Sequence, residues 1–172
     1  MIVYTIGHST RPIDQFIALL LAHGVAQLAD VRTIPKSRRH PHFAQESLAL
    51  SLPTAGIVYR HFPGLGGLRK PSPDSPNRGW RHAGFRGYAD YMQTPAFAAS
   101  LNELIAWSGG APTTMMCAEA VWWQCHRQLI ADALVARGVD ARHIMSEKAA
   151  AAHTLTSFAR LNEQGVSYPG LI

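Results

Sequence analysis

The stretch 113–138 reads TTMMCAEAVWWQCHRQLIADALVARG and decides the fold class. Its first five residues, 113–117, are apolar or β-branched and predict a short buried strand. Residues 125–137 predict a helix, because four apolar side chains recur there at helical spacing: Leu129, Ile130, Ala133 and Leu134. A short loop with two tryptophans separates the strand from the helix. A strand followed by a helix is the building unit of a parallel α/β sheet.

The same alternation continues on both sides of this stretch. Further strands are predicted at 2–6, 25–31, 57–62 and 142–145. Helices are predicted at 12–23, 45–52, 88–92, 94–107 and 154–161. This order implies a single three-layer α/β domain over residues 1–172, in which helices cover both faces of a mostly parallel sheet of about five strands.

Two segments depart from the alternation. Residues 63–86 are rich in glycine, proline and arginine, and we expect a long basic loop there. Residues 163–172 predict an irregular tail.

Composition limits the possible classes of protein. The chain has 172 residues, of which 47% are hydrophobic and 16% charged, with a formal net charge of +5. Its longest apolar run, 16–22, is far shorter than the roughly 20 residues that span a bilayer. The N-terminus lacks the basic region of a signal peptide, so we expect a cytoplasmic protein with no membrane partner. Two cysteines are too few for a disulfide framework, and the sequence does not indicate an oligomeric state.

Polar side chains follow four of the predicted strands. They are His8 and Ser9, Asp30 and Arg32, His61, and Cys117 and Glu119. Because the carboxyl ends of parallel strands share one edge of a sheet, we expect these groups to meet there and form a ligand site. The alternative is that the strands simply end in polar turns.

Asp30 and Arg32 are two residues apart on an extended chain, so their side chains can point the same way. One interpretation is a plain ion pair. In the other, Asp30 is a general base or positions water, and Arg32 binds an anion. Glu119 would then be the second carboxylate of an acid–base pair.

The sequence Cys125-His126-Arg127 begins the predicted helix, where backbone N–H groups and the helix dipole favour a thiolate or a bound anion. Cys125 is therefore a candidate nucleophile, although either cysteine could simply pack against the sheet. Cys117, Cys125 and His126 could provide three metal ligands, but their spacing matches no common zinc pattern. We expect neither a metal nor another cofactor.

Most of the positive charge falls in the loops, beside aromatic side chains. The cations are Arg32, Lys36, Arg38 and Arg39, then Arg60, Arg69, Lys70, Arg78, Arg81 and Arg86. Tyr88 and Trp122 are candidates for stacking on a base. Basic loops with aromatic side chains are typical of nucleotide or nucleic-acid binding, and a solvated basic rim is the alternative.

Ordered motifs along the chain resemble the domain-of-unknown-function 488 family. They include Tyr4 to Ser9, Asp30 to Arg32, Pro35 to Arg38, His42-Phe43, Leu65 to Gly67, Gly84 to Met92, Cys117 to Glu119, Cys125 to Arg127, Ile130 to Asp132 and His143-Ile144. The resemblance covers roughly residues 2–145 and departs at Ala120 to Trp123, where an acidic or Asp-Pro loop is common. It implies a compact α/β domain but no established reaction. The site residues that it implies are His8, Ser9, Asp30, Arg32, Ser37, Arg38, Tyr88, Cys117, Glu119, Cys125, His126 and Arg127.

Three functional hypotheses follow. The first is an enzyme that hydrolyses a glycosidic or phosphate bond of a nucleotide or nucleic acid. In it, Asp30 and Glu119 are the acid and base, and His8 is a further catalytic group. The anionic groups of the substrate are bound by Arg32, Arg38 and Arg127. The second is a phosphatase-like or sulfur-transferring enzyme that uses Cys125 or Cys117. The third is a binding module that reads a nucleotide or nucleic acid without catalysis.

Overall fold

The computed structural model describes residues 1–170. Its helices are α1 (Ile13–Ala22), α2 (Gln45–Thr54), α3 (Ala83–Tyr91), α4 (Pro95–Ser108) and α5 (Arg127–Ala136). Its strands are β1 (Ile2–Gly7), β2 (Gln27–Asp30), β3 (Val58–His61), β4 (Thr113–Cys117), β5 (Asp140–His143), β6 (Ala151–Ala152), β7 (Arg160–Asn162) and β8 (Gly165–Ser167).

A central sheet organises the described residues, with the strand order β3-β2-β4-β1-β5-β6. Strands β1 to β5 pair in parallel, and only the short edge strand β6 is antiparallel. The predicted α/β fold with a mostly parallel sheet is therefore confirmed. This order places β1, β4 and β2 side by side, so the polar residues after these three strands lie at one edge.

Helices cover both faces of the sheet. Adjacent side chains of β4 separate the two layers, because Met115 packs with α3, α4 and α5 whereas Met116 packs with α1 and α2. This alternation is the ordinary consequence of strand geometry, and both methionines are fully buried. The three-layer arrangement follows from it.

The helix predicted from Thr94 and Pro95 forms as expected. The Thr94 side chain accepts a hydrogen bond from the backbone N–H of Phe97 at 3.3 Å, and Pro95 occupies the first turn. A threonine N-cap followed by proline satisfies the free N–H groups where a helix begins.

The helix predicted at 154–161 is wrong. Residues 154–159 contain no helix and have a turn at 157–158, and β7 and β8 follow as an antiparallel hairpin in which β8 begins at Gly165, with φ +122°. The Asp132 carboxylate accepts the backbone N–H of Thr156 at 3.0 Å, which holds this backbone against α5 instead of leaving it free to form a helix. Local periodicity could not show this competing tertiary contact.

The two irregular segments are shorter than predicted. Helix α3 already begins at Ala83, so residues 66–82 form the part of the basic segment without helix or strand. Strand β8 lies inside the predicted irregular tail, and the last two residues of that tail, 171–172, lie outside the described residues.

Within residues 1–170, none of the helices is both long enough and apolar enough to cross a membrane.

Candidate functional site

A cleft of about 800 Å³ opens at the carboxyl edge of β1, β4 and β2. It brings together nine of the predicted site residues: His8, Ser9, Arg32, Ser37, Arg38, Cys117, Glu119, Cys125 and His126. Four others do not line it: Asp30, Tyr88, Trp122 and Arg127. Residues that follow β1, β2 and β4 therefore meet at the cleft, whereas His61, the polar residue predicted to end β3, does not line it.

The turn after β1 fits tightly against the segment after β4. The backbone N–H groups of His8 and Ser9 donate to the carbonyls of Cys117 and Ala118 at 2.9 and 3.0 Å. Ser9 has φ +52°, a left-handed conformation that costs a non-glycine residue free energy. A Cβ on Gly7 would lie 1.7 Å from the carbonyl oxygen of Glu119, so only glycine fits there.

Asp30 and Arg32 form a buried ion pair. Arg32 Nε and Nη2 donate to the two Asp30 carboxylate oxygens at 2.8 and 2.7 Å, and the hydroxyl of Tyr59 donates to the same carboxylate at 2.5 Å. Asp30 is fully buried and does not line the cleft. A role as general base would require this ion pair to open, so the geometry favours a positioning role for Asp30.

His8 lies on the cleft wall in a neutral state. Its Nδ1 donates to the carbonyl of Ser9 at 2.8 Å, and its ring stacks on Phe43 with the centroids 4.2 Å apart. Burial lowers the pKa of His8 to about 4. Because Nδ1 carries the proton, the lone pair of Nε2 faces Nη1 of Arg32 at 3.5 Å.

The two cysteines adjoin each other at the base of the cleft, and both are reduced. Burial raises the pKa of Cys117 well above its usual value. Burial also acts to raise the pKa of Cys125, but the neighbouring Cys117 thiol, the charge of Arg127 and the Arg127 backbone N–H together lower it. Cys125 is therefore the sulfur that more readily becomes a thiolate, whereas the Cys117 thiol donates to the carbonyl of Glu119 at 3.8 Å.

His126 faces the Cys125 sulfur. Its Nε2 donates to the carbonyl of Val31 at 2.8 Å, so the lone pair of Nδ1 points towards Cys125 Sγ, 3.4 Å away. Burial lowers the pKa of His126, which keeps the imidazole neutral near pH 7. A neutral imidazole in this orientation can accept the proton of the thiol.

Arg127 is fully buried at the start of α5. Its Nη2 donates to the carbonyl of Glu119 at 2.8 Å and its Nη1 to the hydroxyl of Thr5 at 3.1 Å. Within residues 1–170, no carboxylate lies within ion-pair distance of this guanidinium. A buried cation requires compensation, and a thiolate at the adjacent Cys125, whose pKa the charge of Arg127 helps to lower, would supply negative charge.

The rim of the cleft is strongly cationic. Among the described residues that line it, Glu119 is the one carboxylate. Four are cations: Arg32, Lys36, Arg38 and Arg39. The Glu119 side chain is exposed. The Ser37 hydroxyl accepts a hydrogen bond from the backbone N–H of His40 at 2.9 Å, and this bond shapes the loop that carries Lys36, Arg38 and Arg39. The cleft is therefore suited to an anionic ligand.

Neither predicted stacking residue faces the cleft. Tyr88 is buried among α4 and α5 side chains, and its hydroxyl donates to the carbonyl of Leu65 at 2.7 Å. Trp122 lies against His143, with ring centroids 4.3 Å apart and planes 4° from parallel. Tyr88 therefore packs inside the protein, and the half-buried Trp122 has one face covered by His143 and does not line the cleft.

Across residues 1–170, no group of three or more histidine, cysteine, aspartate and glutamate side chains is arranged to hold a metal ion.

Several residues that build the site were not among the predicted site residues. They are Thr5, Phe43, Tyr59, Asp132, His143, His153 and Tyr168. Thr5, Phe43, Asp132 and His143 lie within the family motifs, which did not assign them a role. A second indication was a polar residue within an apolar segment, as with Asp132 between Ala131 and Ala133 in α5. Such a residue is expected to be hydrogen-bonded when buried, but its partner lies elsewhere in the chain.

The fold and the cleft define a parallel α/β domain with a cation-rimmed pocket at the carboxyl edge of its sheet. The chain belongs to the family described as domain of unknown function DUF488, whose model matches residues 12–134 of 172. The matched range includes β2 to β4 and most of α5, whereas the turn at His8 and Ser9 precedes it. Comparisons with curated proteins and with solved structures gave no match.

Proposed function

We propose that this protein is a cysteine-dependent group-transfer enzyme in which Cys125 attacks a small anionic substrate, such as a phosphate ester or a sulfur oxyanion. The observation that carries the proposal is the environment of the Cys125 sulfur, which faces a cationic cleft 3.4 Å from His126 Nδ1 and 3.5 Å from the Arg127 backbone N–H. A thiolate at the start of a helix, beside a buried cation, is a good nucleophile near neutral pH.

Each contact has a separate chemical role in the proposal. His126 accepts the proton of Cys125, and Arg127 with the Cys117 thiol stabilises the resulting thiolate. Arg38 binds the charged oxygens of the substrate, as planar guanidinium groups do in bidentate contacts. Arg32 can add only its Nη1 group, because its Nε and Nη2 donate to Asp30. Asp30 holds Arg32 in place through their ion pair.

Two reactions fit this arrangement, the hydrolysis of a phosphate ester and the transfer of sulfur from thiosulfate. With a phosphate ester, the thiolate bonds to phosphorus, the ester oxygen leaves with a proton, and water then hydrolyses the phosphocysteine. With thiosulfate, the thiolate bonds to the outer sulfur, sulfite leaves, and an acceptor such as cyanide removes the sulfur as thiocyanate.

The test uses p-nitrophenyl phosphate for the first reaction and thiosulfate with cyanide for the second. The purified protein should release p-nitrophenolate or thiocyanate, and Cys125→Ser should reduce turnover to the background rate. Cys117→Ser retains a hydroxyl donor beside Cys125 and should keep measurable turnover. Wild-type turnover by Cys125→Ser would disprove the proposal.

Thiol reactivity provides a test that needs no substrate. We expect Cys125 in the wild-type protein to react with iodoacetamide with a pH midpoint below that of an ordinary cysteine, about 8.5. A midpoint at or above that value would also contradict the proposal.

Hydrolysis of a nucleotide or nucleic acid is the second candidate function. It is favoured by one observation, the exposed Glu119 carboxylate in a cleft lined by Arg32 and Arg38. It has less support than thiol chemistry because Asp30 is held in an ion pair and Tyr88 is buried. In this case Glu119→Gln should abolish the hydrolysis of an oligonucleotide or nucleotide while Cys125→Ser retains it.

Non-catalytic binding is distinguished by the same variants. A binding module would bind an oligonucleotide with an affinity that falls as salt rises and would show no turnover. Glu119→Gln would then leave the affinity intact.

A further inference from the structure

A chain of buried hydrogen bonds leads from the site to the opposite side of α5. Arg127 Nη1 lies 3.1 Å from the hydroxyl of Thr5, which lies 2.7 Å from Nδ1 of His143. Nε2 of His143 lies 2.8 Å from Nδ1 of His153, whose Nε2 lies 2.8 Å from the Asp132 carboxylate. The five residues come from β1, β5, α5 and the segment after β6, and all are buried.

When His153 is neutral, the donors and acceptors of this chain permit one orientation. Asp132 is an acceptor, so His153 donates to it through Nε2 and accepts at Nδ1. His143 therefore donates through Nε2 and accepts the Thr5 hydroxyl proton at Nδ1. The remaining lone pairs of the Thr5 oxygen accept from Arg127, so every hydrogen bond points from the guanidinium towards the carboxylate.

The two ends of the chain carry opposite charges. Arg127 has no carboxylate within ion-pair distance among the described residues, and Asp132 reaches no arginine or lysine there. Hydrogen bonds aligned in one direction polarise one another in a low-dielectric interior, so neutral residues can couple a buried cation to a buried anion. Further hydrogen bonds fix the acidic end, since Tyr168 donates to Asp132 at 2.7 Å.

The middle of the chain is held in a neutral state. Burial, together with the neighbouring His153 and the charge of Arg127, lowers the pKa of His143 to about 3. The Trp122 ring stacks on His143 and covers it. The side chain that the sequence suggested for stacking on a base instead covers this chain of hydrogen bonds.

We propose that this relay, formed by Thr5, His143, His153 and Asp132, is a positioning device that fixes the charged Arg127 side chain beside Cys125. The inference rests on the proposed function of Cys125 as the nucleophile. None of the four residues touches the cleft, so they act through Arg127 and are positioning residues rather than catalytic ones.

If the relay positions Arg127, substitutions in the relay should change the pH at which the Cys125 thiol becomes reactive. Residues that only pack in the core should not have this effect. The titratable groups that face Cys125 are Cys117 on β4, Tyr88 on α3, and His126 and Arg127 at the start of α5. A substitution in the relay leaves Cys117, Tyr88 and His126 in place and alters only the position of Arg127. The thiolate then loses the stabilising charge of Arg127, and its formation requires a higher pH.

The experiment measures the rate of Cys125 alkylation by iodoacetamide between pH 5 and pH 10 in a Cys117→Ser background. Thr5→Val removes the hydroxyl without changing the shape of the side chain, whereas Thr5→Ser retains the hydroxyl. We expect Thr5→Val to raise the pH midpoint by about one unit, which lowers the rate below the midpoint about tenfold. Thr5→Ser should match the parent.

Two further variants keep the test decisive. Thr114→Val is the matched control, because Thr114 is equally buried on the adjacent strand and its hydroxyl contacts only the carbonyl of Met115. It should leave the midpoint unchanged. Asp132→Asn removes the negative charge while retaining an acceptor oxygen, and it should raise the midpoint even if Thr5→Val does not fold.

The outcomes separate the two proposals. An unchanged midpoint in both folded Thr5→Val and Asp132→Asn would overturn the relay, whatever the turnover of the wild-type protein. Turnover that is retained in Cys125→Ser would overturn the proposed function, while a shifted midpoint in Thr5→Val would still support the relay. Circular dichroism of each variant establishes that it is folded before the midpoint is compared.

Discussion

The buried ion pair between Asp30 and Arg32 provides the sharpest test of the structure, because the chain contains its own matched control. Asp140 and Arg142 have the same spacing, and their Nη2–Oδ2 distance is also 2.7 Å. The two pairs differ in environment. The side chains of Asp30 and Arg32 are 0% and 8% exposed, whereas those of Asp140 and Arg142 are 39% and 40% exposed.

Asp30→Asn keeps the shape of the side chain and removes its charge. Arg32 then stays buried without a counter-charge, and the amide nitrogen of the asparagine cannot accept from Arg32 or from Tyr59. Removing one partner of a buried ion pair costs about 3–5 kcal/mol of folding free energy. We expect a loss of that size for Asp30→Asn and a nearly unchanged unfolding midpoint for Asp140→Asn, since exposed pairs contribute little.

The measurement is urea unfolding followed by far-ultraviolet circular dichroism, with the free energy of unfolding obtained by linear extrapolation. The double variant Asp30→Asn/Arg32→Met removes the stranded cation and should recover a large part of the loss. If Asp30→Asn and Asp140→Asn had equally small effects, the buried ion pair would not be the main role of Asp30. The general-base hypothesis for Asp30 would then regain support.

Three further predictions concern packing, pH and hydrogen bonding, each measured by urea unfolding. Gly7→Ala should destabilise the protein by about 1–3 kcal/mol or more, because the added Cβ would lie 1.7 Å from the Glu119 carbonyl oxygen. Gly110→Ala is the control and should be nearly neutral, because a Cβ there would lie 3.5 Å from its nearest neighbour, the Trp107 carbonyl oxygen. Acidification from pH 7 to pH 5 should lower the free energy of unfolding by about 2 kcal/mol for each of His8 and His143. Burial holds the pKa of His8 near 4 and that of His143 near 3 in the folded protein. The unfolded chain takes up these protons near pH 6.5, so acid favours the unfolded state. His143→Gln should show a weaker dependence on pH, and an equal dependence would show that His143 is not held neutral. Tyr59→Phe should cost about 1–2 kcal/mol, because the Asp30 carboxylate loses a buried donor at 2.5 Å, and no loss would contradict that hydrogen bond.

The thiol environment explains why the cysteines are better described as a pair than as separate residues. Cys117 ends β4 and Cys125 precedes α5, so the loop between them returns the chain to the same point of the cleft. The Cys117 thiol, whose pKa is raised, donates to the carbonyl of Glu119, whereas Cys125, whose pKa is lowered, accepts the backbone N–H of Arg127. This division of roles makes Cys125 the first residue to test.

Much of the fold was predictable because strand and helix periodicity depend on which local face is buried. Residues 113–117 and 125–137 predicted β4 and α5 to within two residues. The segment at 154–161 failed for the opposite reason, since its backbone is held by Asp132 of α5. A contact between residues about 24 positions apart leaves no trace in the local pattern.

The amino-acid sequence by itself determined the alternation of strands and helices, the polar groups at the strand ends, and hence the edge of the sheet where the cleft lies. Only the tertiary structure decided which of those groups face the cleft. Asp30 and Arg127 are hidden by partners from distant strands, and Thr5 meets His143 because β1 lies beside β5. The physical reason is that burial of a local face is set by nearby residues, whereas the partners of buried polar groups are set by the order of the strands.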